Sequence, residues 1–89
     1  MSLRGHDWRT CELCGHSANE PAIAPTMMYA QLPTGRQFMD VIRCKDREAC
    51  RARAAAAGRA WPEADSSELR DAALARQVYA ARRARGVEA

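Results

Sequence analysis

Cys11-Glu12-Leu13-Cys14-Gly15 and Cys44-Lys45-Asp46-Arg47-Glu48-Ala49-Cys50 hold all four cysteines of this 89-residue chain. Two cysteines separated by two residues reach one ion from a single tight turn, and Gly15 supplies the positive φ that such a turn needs. The second pair has five residues between its members, so it needs a different local structure. Asp46 provides it. Its carboxylate accepts from the orphan N–H groups of a helix running from about Arg47 to Ala57, which Gly58 is placed to end. Cys44 then ends a strand, and Cys50 falls in the first turn of the helix or just past it. The partial positive charge of the helix N-terminus favours a thiolate there. Cys11, Cys14, Cys44 and Cys50 are therefore expected to close around one structural zinc ion, with thiolate sulfurs at about 2.3 Å.

Between the pairs, Thr26–Leu32 and Gln37–Arg43 flank Pro33-Thr34-Gly35-Arg36, where proline presets φ and glycine takes a left-handed position. That pattern predicts a β-hairpin, although its apolar residues do not alternate cleanly enough to set the register. After Gly58, Trp61-Pro62 breaks the chain. Asp65-Ser66-Ser67-Glu68 then reads as a capping box with Asp65 at the cap, opening a helix over roughly Ser66 to Arg85 closed by Gly86. The expected organisation is a module over 1–58, a linker over 59–65, and a C-terminal helix over 66–89 packed on the module or on a partner.

The totals explain why a staple is needed. Apolar residues make up 47% of the chain, but alanine dominates them and only two Trp, two Tyr and one Phe are present. Burial stabilises by roughly 25 cal/mol per Å² of apolar surface, so a core this poor in large side chains hardly offsets chain entropy. The start, Met1 to Trp8, is polar and charged and shows no signal-peptide pattern. No apolar run approaches the roughly 20 residues of a membrane span. A reducing cytoplasm is the expected compartment, where cysteines serve metal sites in preference to disulfides.

These residues resemble a treble-clef zinc finger: a knuckle, a β-hairpin, and a helix whose start supplies the second ligand pair. The resemblance covers Cys11 to about Gly58. It is carried by the order Cys11, Cys14, Cys44, Cys50 and by Gly15 after the knuckle, with a second pair spaced more widely than the family's usual one. It implies an α+β fold, a small zinc-stapled treble-clef-like module followed by an α-helix. The alanine- and arginine-rich style is also similar to short proteins of actinobacteria and their phages. Alternatives stay open at this point: an iron–sulfur cluster, which four thiolates also suit, disulfides, or buried unliganded cysteines. His16 or His6 is a substitute ligand if Cys50 fails to reach.

A closed four-sulfur shell leaves no open position for substrate, no phosphate-binding glycine loop appears, and the acids form no clear pair. An enzyme is not expected. A binding module is, acting as an adaptor or regulator with a protein partner. Nucleic acid is the alternative target, and a structural part of a larger assembly, such as a phage particle, the third. The charge excess of +3 lies wholly after residue 50. The nucleic-acid candidates there are Arg51, Arg53 and Arg59, with Arg82, Arg83 and Arg85 in a position that also complements a helix C-terminus. Trp8 and Trp61 are the exposed-looking stacking residues. The last helix carries Leu69, Ala72, Arg76 and Tyr79 on one side and Leu74, Val78 and Ala81 on another. It thus reads either as one broad intramolecular stripe or as a helix shared with a partner or a second copy, a route to a homo-oligomer.

Overall fold

A computed structural model describes residues 8–19 and 22–86 of the chain. His6 lies outside the described residues. The elements run β1 (Trp8–Thr10), β2 (Ser17–Asn19), β3 (Ile23–Leu32), β4 (Gly35–Cys44), α1 (Arg47–Ala56) and α2 (Ser67–Ala84). The fold is small and α+β, with two two-stranded sheets, β1-β2 and β3-β4. Backbone contacts divide it into two units. One takes the described residues up to Thr26 together with Ile42–Trp61, and the other takes Met27–Val41 with the described residues from Pro62 onward. Both strands of the long hairpin contribute to both units.

The first unit is built around the knuckle. Its flanks pair as antiparallel β1 and β2, with Trp8 opposite Asn19 and Thr10 opposite Ser17. The Thr10 and Ser17 hydroxyl oxygens lie 2.8 Å apart and close this ladder. Helix α1 starts as expected, with Ala49 N–H donating to Asp46 Oδ1 at 3.1 Å. It ends in a Schellman turn. Arg59 N–H reaches the Ala54 carbonyl at 2.8 Å, Gly58 N–H reaches Ala55 at 3.0 Å, and Gly58 sits at φ +74°. The side chains buried here are Cys11, Leu13, Cys14, Ile23, Cys44, Cys50 and Ala54. Leu13 and Ile23 are the long aliphatics among them, so this core is mostly sulfur.

In the second unit, Met28, Ala30 and Val41 of the hairpin and Ala72, Leu74, Ala75 and Val78 of α2 are buried. The four helix positions form one continuous arc, while Leu69 stays 56% exposed and Arg76 and Ala81 face solvent. The buried residues of α2 thus lie on one broad stripe. Along β3 the buried positions pass from Ile23 to Met28 and Ala30, and along β4 from Val41 to Cys44, so each strand changes the side-chain phase it buries. Side chains alternate with period two in a strand, and this change of phase is why the sequence showed no clean alternation.

Two β4 carbonyls are taken by groups outside the hairpin. Ile42 accepts from Glu12 N–H at 2.7 Å, and Asp40 accepts from Arg82 Nη2 at 2.7 Å.

The cap of α2 corrects the expectation of Asp65. Ser66 is the N-cap, extended at φ −130° and ψ 155°, and its hydroxyl accepts from Leu69 N–H at 3.2 Å. A hydroxyl three residues ahead of an orphan N–H reaches it directly, which leaves Asp65 before the helix and Glu68 in its first turn. Replacing Ser66 with Ala should cost about 1 kcal/mol of α2 stability, whereas Asp65→Ala should cost clearly less. Urea unfolding followed by circular dichroism distinguishes the two, and a larger loss at Asp65 would contradict the assigned cap.

Candidate metal centre

The knuckle turn places its first two sulfurs by backbone bonds. Cys11 N–H donates to the His16 carbonyl at 2.8 Å and Gly15 N–H to the Cys11 carbonyl at 2.9 Å, which folds the five residues into a loop. Leu13 N–H and Cys14 N–H then point at Cys11 Sγ, at 3.3 and 3.4 Å. Amide dipoles aimed at a sulfur stabilise its thiolate form. The end of β4 brings Cys44, and the first turn of α1 brings Cys50.

The four sulfurs meet. All lie within 4.8 Å of one another, and all four residues are buried. Cys11 Sγ is 3.7 Å from Cys50 Sγ, and Cys14 Sγ is 3.6 Å from Cys44 Sγ. A disulfide needs about 2.05 Å, and the cysteines are free. A single tetrahedral ion with metal–sulfur bonds of about 2.3 Å has sulfur–sulfur edges of about 3.8 Å. The Cys11–Cys50 and Cys14–Cys44 distances are close to that figure, and the other pairs lie within 4.8 Å. A two-iron cluster holds two thiolates on each iron and a four-iron cluster one on each, so either sets some of its thiolates further apart than the 4.8 Å that bounds all four sulfurs here. The quartet therefore fits one ion, and the wide second pair reaches it without help from a histidine. His16 contributes its carbonyl to the knuckle, and its side chain is exposed.

Protons distribute unevenly over the metal-free sulfurs. The Cys50 thiol donating to Cys11 holds the Cys11 pKa down at about 4, against the opposing effect of burial, with the Cys14 and Leu13 amides assisting. The same bond, reinforced by burial, pushes Cys50 up. Burial raises Cys44 as well, partly offset by the Arg53 guanidinium.

Two of the arginines named as nucleic-acid or partner candidates lie beside the cysteine cluster. Arg53 Nη2 donates to Cys44 Sγ at 3.2 Å, and this bond raises the arginine's own pKa. Four thiolates around a divalent ion carry a formal charge of roughly −2, which one guanidinium partly offsets. Arg59 lies over the knuckle, with Nη1 3.4 Å from the Glu12 carbonyl. Gly15, at φ +87°, leaves room for it: a Cβ there would stand 3.2 Å from Arg59 Nη2. A signal for Arg53 existed in the sequence, since it follows Cys50 by three residues and so shares its helix face. For Arg59 the signal was Gly58, which turns the chain back.

The remaining candidates are distributed as follows. Arg51 is exposed on α1 and makes a contact of its own. Arg82 is bonded to Asp40, Arg83 lies over the Tyr79 ring with 5.7 Å to its centroid, and Arg85 is the exposed C-cap of α2. Trp8 is 57% exposed, and Trp61 is half-buried. A hollow of about 460 Å³ beside Cys44 is lined by His16, Ile23, Lys45, Asp46 and Arg53 among others. Its carboxylate, Asp46, is committed to the helix cap.

Because Cys44 and Cys50 are held above the ordinary thiol range, both carry protons near neutral pH, and an incoming ion must displace them. Metal affinity should therefore rise with pH, with net proton release in calorimetry across buffers of different ionisation enthalpy. A pH-independent affinity would contradict this protonation pattern. At the knuckle, Gly15→Ala should cost about 1–2 kcal/mol for a left-handed non-glycine residue. Adding Arg59→Ala should recover only the part due to the contact, so complete recovery in the double variant would show that backbone strain is absent. No family model, curated protein or solved structure matches the chain.

Proposed function

We propose that this chain is a structural-zinc module of treble-clef type, without catalytic activity, that works as a small adaptor or regulator by binding a protein partner. The observation that carries the reading is the closed quartet of buried sulfurs with edges of 3.6 and 3.7 Å. Four thiolates fill a tetrahedral shell, and a zinc ion so enclosed has no position for substrate or activated water. Zinc suits soft sulfur ligands and has no redox chemistry of its own, which accords with a role in stapling a core that lacks large side chains.

A protein partner is favoured over nucleic acid by how the arginines are used. Arg53, Arg59 and Arg82 donate to atoms of this chain, and Arg83 covers Tyr79. Meanwhile Trp8, Met27, Phe38 and Leu69 are each more than half exposed. Exposed aromatics and methionine are the residue types enriched at protein interfaces. The reducing compartment belongs to the same proposal, since it keeps the thiols available to the ion. No helix among the described residues is long and apolar enough to cross a membrane.

Elemental analysis of the purified protein is the test. About one zinc per chain is expected, lost in Cys50→Ser and kept in His16→Ala. Chelation should unfold the first unit, because structural zinc supplies about 10–16 kcal/mol of binding free energy to such modules. Iron in place of zinc, or a metal-free chain that stays folded, would refute the zinc reading. Fluorescence anisotropy with labelled oligonucleotides should show no binding tighter than about 10 µM; tighter binding that falls steeply with salt would shift the partner to nucleic acid.

A further inference from the structure

The outward face of the long hairpin is an apolar surface with a charge at each end. Tyr29 of β3 and Phe38 of β4 pack ring to ring at 6.0 Å, and Phe38 remains 60% exposed. Residues two apart on a strand share a face, so Met27, itself 62% exposed, joins Tyr29, while Arg36 and Asp40 flank Phe38. The opposite face is the one that buries Met28, Ala30 and Val41. Arg36 lies over the Tyr29 ring at 4.5 Å from its centroid, which holds the guanidinium in place by stacking. The Arg36 and Asp40 side chains are both exposed, and Asp40 accepts from Arg82 Nη2 through its backbone carbonyl.

The order along β4 is therefore cation, aromatic, anion, evenly spaced. With a rise of about 3.3 Å per residue, Arg36 and Asp40 stand roughly 6.6 Å on either side of Phe38. A two-fold axis through Phe38 exchanges the two ends, placing Arg36 of each copy against Asp40 of the other and stacking the two Phe38 rings at the centre. This is the self-complementarity that an isologous interface requires. An acidic peptide would gain at Arg36 and lose at Asp40, and a basic one the reverse. A surface bearing both charges in reversed order satisfies both, and a second copy of this chain bears it.

We infer that the chain self-associates through this face, two hairpins packing antiparallel with Met27, Tyr29 and Phe38 between them and two reciprocal Arg36–Asp40 pairs at the ends. The inference is independent of which ion the cysteines hold. The face offers five side chains per copy against roughly 20–30 residues a side in a standard interface, so a weak dimer is expected, with a Kd on the order of 0.1 mM.

Sedimentation equilibrium of the full, metal-loaded chain from about 10 µM to 1 mM tests it, with metal content measured on the same samples so that loss of the centre is seen separately. A monomer–dimer equilibrium is expected. Phe38→Ser should abolish it, and Arg36→Asp or Asp40→Arg alone should weaken it about tenfold by setting like charges against each other. The double variant Arg36→Asp/Asp40→Arg should restore the dimer, because the charge order is then reversed in both copies. A chain that stays monomeric to 1 mM, a dimer indifferent to Phe38→Ser, or a double variant no better than either single one would each overturn the proposal.

Discussion

The meeting of four sulfurs ties together segments that local structure alone would leave loosely held. Cys11 and Cys14 come from a turn, Cys44 from the end of a strand and Cys50 from a helix start, and the ladders and caps around them serve to bring these points within 4.8 Å. The dependence also runs the other way. In the first unit the buried aliphatic side chains beside the cysteines are Leu13 and Ile23. A core of that size gives little hydrophobic return, and an ion held by the four sulfurs would supply the order it lacks.

The surroundings of the sulfurs show how charge is handled in that small space. Amide N–H groups converge on Cys11, and a guanidinium meets Cys44, so electron-rich sulfurs are faced by donors from two directions. Each donor sits where it does for a backbone reason. The knuckle amides are oriented by the turn at Gly15, and Arg53 lies one helical turn beyond Cys50. Arg59 is delivered by the reversal at Gly58, whose left-handed φ sends the chain back from the helix end toward the knuckle.

Much of this was legible in the residues. The cysteine order, the Asp46 cap and the glycine stops at Gly58 and Gly86 all announce themselves through side-chain chemistry that acts over three or four residues. What escaped reading depends on distant partners. Strands β1 and β2 have three residues each and are mostly polar, so no periodicity marks them, and they form because the knuckle between them sets their ends side by side. The hairpin's broken alternation was visible, but its cause, a change in which side chains are buried along each strand, is a tertiary fact. Asp65 and Ser66 are both good caps, and nothing local chooses between them. The bonds of Arg53 to Cys44 and of Arg59 to the Glu12 carbonyl depend likewise on where the fold brings those segments.

The bonds that occupy the Ile42 and Asp40 carbonyls also bear on how the protein avoids aggregation. A ten-residue strand with an open side is a template on which another chain can add itself, and a hairpin of two such strands has two open sides. Here the Ile42 carbonyl is plugged by the knuckle amide of Glu12 and the Asp40 carbonyl by a helix arginine. Pro25 lies within β3, where it removes a donor. The knuckle keeps its plug in place only while its own fold holds. Loosening of the knuckle thus also uncovers a stretch of β4 backbone, and the fold around the cysteines guards solubility as well as shape.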